Sequence, residues 1–214
     1  NRGKVMAESI AYNGQISYGQ DVITRIAYCQ RPGGLKKLQQ VVVATINGVI
    51  KELLSRRQVD VKHIGHITVA GNTTMTQILL GLDPKFLRLA PYTPAATFIP
   101  PVKAHTIGIN VPEHVYLFSF PLIASYIGGD INSGLVGCGM HQRKTLTYYM
   151  DIGTNGQIVI GNSDWMVAAA CSAGPALEGG GVKHGMVATD GAIEAFYLDP
   201  ATLEPTARTI GGGK

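Results

Sequence analysis

Apolar positions along the chain repeat with two periods. Val22, Ile23, Ile26 and Cys29 share a face at helical spacing and predict a helix over residues 18–29. After the break at Pro32-Gly33-Gly34, the positions Leu38, Val41, Val42, Thr45, Val49 and Leu53 predict a long amphipathic helix over 35–57. Shorter apolar runs predict strands over 4–12, 64–70 and 115–120. Gly71-Asn72 turns the second of these into a helix over 73–82, with Asn72 as its N-cap. Gly128-Gly129-Asp130 opens another helix that runs to about residue 140. Residues 83–113, rich in Pro and Thr, read as an irregular excursion with room for one strand.

The pattern then changes from 3.6 to 2. Strands over 145–152, 157–162 and 165–171 lie close together, joined by turns at Thr154-Asn155-Gly156 and Ser163-Asp164, and predict an antiparallel meander. A Gly-rich loop over 172–181 follows. Residues 186–199 read as two short strands around Asp190-Gly191, and 208–210 as one more. There is no internal repeat. The element order is mixed α/β, with helices between some strands and hairpins between others.

Composition adds one constraint. Of 214 residues, 45% are hydrophobic and only 15% charged, below the roughly 25% usual for soluble domains. Either the interior is large for the length, or other structure covers part of the surface. The net charge of +4 contains no run of like charge, so nucleic acid is not called for. The longest uncharged apolar stretch, 115–129, is interrupted by Ser119 and Pro121 and is too short to span a bilayer. Cys29, Cys138 and Cys171 are few, odd in number and far apart. They form no iron–sulfur or zinc pattern and point to a reducing, cytoplasmic setting. The chain starts without Met and ends in Gly-Gly-Gly-Lys, which reads as an internal piece of a longer protein.

The sharpest chemical signal is Asp151-Ile-Gly153-Thr154-Asn155-Gly156-Gln157. A strand delivers a carboxylate straight into a Gly/Thr/Asn/Gly turn that returns as a second strand. Glycines allow backbone N–H groups close approach to phosphate oxygens, and Thr and Asn add donors. A carboxylate at the strand end suits Mg²⁺, usually through its waters. The same residues also make an ordinary Asn-Gly hairpin, and both readings stand at this point. Asp130 at a helix start is either a cap or a functional carboxylate. Ser172-Ala-Gly174-Pro175-Ala-Leu-Glu178-Gly is either an anion-binding turn or a plain Gly-Pro turn.

Taken in order, several runs resemble one family. They are Ala11-Tyr12-Asn13-x-Gln15-x-x-Tyr18-Gly19-x-Asp21-Val22, Ala70-Gly71-Asn72-Thr73-Thr74-Met75-Thr76 and Leu80-Gly81-Leu82-Asp83-Pro84. They continue with Gly129-Asp130, the run from Asp151 to Gln157, the run from Ser172 to Gly179, and Gly191-Ala192-Ile193-Glu194. The chain resembles the ATPase domain of the reductive activators of corrinoid proteins, in the actin, sugar-kinase and heat-shock-chaperone (ASKHA) superfamily. The resemblance implies an α/β actin-like, ribonuclease H-like ATPase fold with a mixed sheet and flanking helices. It implies that residues 1–214 are the central part of that domain. The first phosphate loop, the adenosine loop and a ferredoxin domain with a [2Fe–2S] cluster would then lie outside the chain.

For the site, the resemblance implies that Asp151, Gly153, Thr154, Asn155, Gly156 and Gln157 form the second phosphate loop, with Asp151 toward Mg²⁺. Asp130 would position water or the metal. Gly71, Asn72, Thr73 and Thr74 would face the γ-phosphate, and Ser172 and Gly174 would approach the phosphates from the other side. ATP and Mg²⁺ are the implied cofactors and a corrinoid protein the implied partner. The implied reaction returns Co(II) corrinoid to Co(I). Two other readings are a small-molecule kinase of the same superfamily and a non-catalytic interaction module, with a homodimer as partner.

Several residues take simpler roles. His63 and His66 read as a solvated pair. Lys36, Lys37, Arg56 and Arg57 read as the solvated face and end of the long helix. Trp165 reads as packing at a strand start. Cys138 and Cys171 read as small core thiols. Tyr116, Phe118 and Phe120 alternate and read as core.

Overall fold

The computed structural model describes residues 3–153, 155–172 and 183–212. The chain divides into two compact units, Asn1–Gln142 and Arg143–Lys214.

The first unit opens on an extended segment. Residues 4–12, expected as a strand, join no ladder among the described residues. Alternation alone makes no strand without a neighbouring edge to hydrogen-bond. Ser9 Oγ donates to Glu52 Oε2 at 2.6 Å and Arg56 Nη1 donates to the Glu8 carbonyl at 2.9 Å, which ties the segment to the helix behind it. A single 3₁₀ turn, Gly14–Tyr18, follows. Its Gln15 is fully buried and donates to the Leu38 carbonyl at 2.9 Å.

Helix α1, Val22–Cys29, starts four residues later than expected because Asp21 forms a capping box with Thr24. Helix α2, Gly34–Arg57, matches its periodic stretch. Its end is set by Gln58 in the left-handed region at φ 52°, with Val59 N donating to the Leu54 carbonyl. Gly34 lies against the Tyr28 carbonyl, where a side chain does not fit.

Strands β1 (His66–Val69), β2 (Val102–Lys103) and β3 (Tyr116–Ser119) form a sheet in the order β1-β3-β2. β1 and β3 run parallel, from His66 opposite Tyr116 to Val69 opposite Ser119, and β2 is antiparallel to β3. Helix α3, Thr73–Leu79, follows β1, and helix α4, Gly129–Gly137, follows β3. Both helices stop about three residues short of expectation. Gly81 turns at φ 71°, and Gly139 at φ 70° precedes a separate turn at Met140–Gln142. The core gathers Val43, Leu79, Ala104, Ile109, Val115 and Leu117, with a second cluster of Cys29, Leu38 and Ile78.

Two further expectations are corrected in this unit. Leu117 and Ser119 are the buried positions of β3, so Tyr116, Phe118 and Phe120 fall on the opposite face. Tyr116 is exposed, and Phe118 and Phe120 pack edge to face at 5.7 Å. In a strand of period two, the neighbouring residues decide which aromatic set turns inward. Cys138 is not core: it is exposed at the C-cap of α4.

The second unit carries the expected meander of β4 (Thr147–Ile152), β5 (Asn155–Gly161) and β6 (Met166–Ser172), but Asn155 and Gly156, expected in the turn, are paired in β5, because the ladder extends to the end of the hairpin. Asn162 closes the β5–β6 turn by donating to the Trp165 carbonyl and accepting from Asp164 N. Trp165 is half exposed. One sheet face carries Tyr148, Met150, Ile152, Ile160 and Val167, all exposed, which accords with the low charge content. Cys171 also corrects the reading as core, being exposed on β6. Strands β7 (Ile193–Leu198) and β8 (Pro205–Thr209) make a hairpin. Only one strand forms within 186–199, because Ala192 N donates to the Thr189 carbonyl and closes a turn where the first was expected.

Candidate functional site

In the first unit, two parallel strands end side by side and each leads into a helix. This is the carboxyl edge at which α/β sheets bind ligands. Asn72 caps α3 by accepting Met75 N at 2.9 Å, as its position before Thr73 predicts. The Gly71 carbonyl is the hub of the junction. It accepts Gly129 N at 2.9 Å, Asp130 N at 3.2 Å and Thr76 Oγ1 at 3.2 Å. A Cβ on Gly128 would lie 2.5 Å from Asn72 Cα, and one on Gly129 would lie 2.9 Å from the Phe120 carbonyl. Two glycines in a row thus let the α3 and α4 starts touch.

The expected residues Gly71, Asn72, Thr73, Thr74 and Asp130 are therefore brought together. Thr73 and Thr74 are buried, and Thr73 Oγ1 donates to the Ala124 carbonyl at 2.6 Å, which spends that hydroxyl on structure. Asp130 is half-buried in the first turn of α4 and accepts from Ile131 N at 2.9 Å. From the sequence Gly128 reads only as part of a helix opening, and its close approach to Asn72 adds it to the site.

In the second unit, Asp151 lies near the end of β4 opposite Gln157, and Ile152 lies opposite Gly156. Asn155 opens β5 opposite Ser172, the last residue of β6. Asp151, Asn155 and Gln157 share one face at one end of the sheet by strand alternation. Gly153 N donates to the Asn155 carbonyl at 3.2 Å across the turn. The Cys171 thiol donates to the Gly156 carbonyl at 3.4 Å. Thr154 and Gly174 lie outside the described residues. Among the described residues, no group of three or more His, Cys, Asp and Glu side chains gathers as a metal cage. His63 and His66 are both exposed.

A family model described as the RACo middle region matches residues 1–143, and one described as the C-terminal domain of RACo, the ASKHA domain, matches 145–214. The chain belongs to the RACo family. The junction of the two RACo matches coincides with the division between the two compact units. A solved structure titled "Reductive activator for corrinoid,iron-sulfur protein" is 47% identical, with a TM-score of 0.86 over 98% of this chain and 34% of its own. The corrinoid activation enzyme RamQ of Eubacterium limosum is 33% identical over 193 residues, 90% of this chain and 32% of that protein. The [Co(II) methylated amine-specific corrinoid protein] reductase of Methanosarcina barkeri is 33% identical over 73 residues, 34% of this chain and 14% of that protein. The chain thus spans about a third of the length of RamQ and of the solved activator. The mixed α/β architecture agrees with the expected fold class. No helix among the described residues is long and apolar enough to cross a membrane.

Proposed function

We propose that residues 1–214 are the central, nucleotide-handling part of the ATPase domain of a reductive activator. The full protein returns the Co(II) of a corrinoid protein to Co(I). The observation that carries this reading is the 47% identity, over nearly the whole chain, with an activator of a corrinoid protein. A [2Fe–2S] cluster held by another domain would supply the one electron that converts Co(II) to Co(I), and the part of this chain is to handle the ATP that becomes ADP and phosphate. The step is uphill, so ATP must bind one state of the complex better than another to bias it.

The residues support distinct roles. Gly153 N–H is held by the Asn155 carbonyl and Gly156 is paired in the ladder on both sides, so the phosphate donors of this hairpin are the Asn155 and Gln157 amides on the Asp151 face. Asp151 with the amide oxygens is a hard-oxygen donor set that fits Mg²⁺, with Asp151 holding its waters. When bound, the ion neutralises phosphate charge. Asp130 orients the attacking water, and Gly71, Asn72 and Thr74 face the terminal phosphate, while Thr73, fully buried with its hydroxyl on the Ala124 carbonyl, holds the segment in place. On the family resemblance, Ser172 and Gly174 would approach the phosphates from the other side. The thiols of this chain do not fit a [2Fe–2S] centre, which takes four cysteine ligands, because the chain has three. The cluster belongs to another domain.

The test uses the full-length protein under anaerobic conditions with a Co(II) corrinoid protein and a low-potential reductant. The visible spectrum of Co(I) is expected only when Mg-ATP is added. Equal Co(I) formation without nucleotide would overturn the reading.

A further inference from the structure

Arg25 on α1 is a buried cation that forms no ion pair among the described residues. The residue is only 9% exposed. Its Nε donates to the Gly19 carbonyl at 2.9 Å and its Nη1 to the Met75 thioether at 3.0 Å, so both acceptors are neutral. No carboxylate among the described residues forms an ion pair with it. The nearest acid in sequence on its helix, Asp21, spends Oδ1 on Thr24 N at 2.8 Å and Thr24 Oγ1 at 3.1 Å as the N-cap. Burial accordingly pushes the guanidinium below its ordinary pKa, and Asp21 offsets this only in part. A buried charge is costly unless paired, and removing it to neutral acceptors leaves most of that cost in place.

The side chain is nevertheless held in place. A Cβ on Gly19 would lie 3.0 Å from Arg25 Cγ, so the stem crosses a position that only glycine leaves open. Among the described side chains, only the Gln77 amide is sealed from solvent with no partner. The unpaired Nη2 of Arg25 is therefore still reachable. It lies beside the proposed cleft: Met75 is in the first turn of α3, and its Cβ is 3.9 Å from where a Gly71 Cβ would be. The planar fork of a guanidinium suits phosphate oxygens in pairs.

We propose that Arg25 is a phosphate-binding residue that takes the terminal phosphate of a nucleoside triphosphate through its free Nη2 edge. The inference rests on the nucleotide reading of the Gly71–Thr74 segment and adds to it a residue on a different helix. The bound phosphate supplies the direct ionic partner that no carboxylate among the described residues provides.

Calorimetric binding of ATP, ADP and adenosine to the full-length protein tests it, in wild type, Arg25→Gln and Arg25→Lys. Arg25→Gln is expected to weaken ATP by about tenfold or more, ADP less, and adenosine not at all. Arg25→Lys should recover part of the loss. Equal ATP affinity in wild type and Arg25→Gln overturns this inference alone. A wild type that binds no ATP overturns the nucleotide reading and this inference together. Should the variants fail to fold, a crystal structure of the wild type with a non-hydrolysable ATP analogue decides. A guanidinium nitrogen about 3 Å from a terminal phosphate oxygen supports the proposal. A guanidinium still bound only to Gly19 and Met75 refutes it.

Discussion

Asp151 differs from an ordinary strand-end acid in what stands beside it. Gln157 faces it across the hairpin and Asn155 follows on the same face, so a polar set converges where two strands meet a turn. In the full-length protein, Asp151→Asn is expected to lower ATP turnover at saturating Mg-ATP on the order of a hundredfold, because the amide keeps shape but loses charge. Its melting temperature should match wild type, since the residue is only half-buried. Cys29 provides a second test at this scale. Burial first, and the Asp83 carboxylate second, push its thiol up from 9.0 to about 11. Between those values the unfolded chain releases the proton and the folded chain keeps it. Stability conferred by this group is therefore complete below pH 9 and falls as pH rises toward 11. The difference in melting temperature between wild type and Cys29→Ala should narrow across that window, and a constant difference would refute the assignment.

At the scale of elements, glycine acts with opposite signs in two helices. Gly128 at the N-cap of α4 is where the two helix starts meet, and a Cβ there would strike the backbone of Asn72. Gly128→Ala is expected to destabilise the first unit by about 1–3 kcal/mol and to weaken ATP binding with it. Gly48, in the middle of α2, has nothing within 4 Å of a Cβ. Gly48→Ala is expected to stabilise by roughly 0.5–1 kcal/mol. Thermal melts of both variants check the pair. A destabilising Gly48→Ala would show that α2 has a neighbour at that position.

For the whole molecule, the matched regions of the RACo family and the relative lengths set the expectation. The 214-residue chain purified by itself is expected to hydrolyse ATP far more slowly than the full-length protein, since the reading places the first phosphate loop and the adenosine loop outside it. Equal turnover, measured as phosphate release per chain, would remove that expectation. The same preparation, kept anaerobic, should carry no stoichiometric iron, because three thiols do not supply four ligands. Iron and sulfide analysis checks this independently of the ATPase assay.

Local sequence determined what depends on neighbours along the chain. The α2 periodicity, the Asn72 cap, the meander from Thr147 to Ser172 and the Asp151 hairpin were all legible, because each is set by spacing and turn chemistry within a few residues. Tertiary structure decided the rest. Residues 4–12 alternate like a strand, yet a strand exists only with a partner edge. The aromatic set of β3 alternates like a core, yet Leu117 and Ser119 turn inward because the packed neighbours choose the face. Cys138 and Cys171 have apolar neighbours in sequence but lie exposed where their elements end or lack cover. The meeting of Gly71 with Gly129 and Asp130 joins residues nearly sixty positions apart, and the isolation of the Arg25 charge is defined by which acids fail to reach it. Both are properties of packing, to which no local pattern has access.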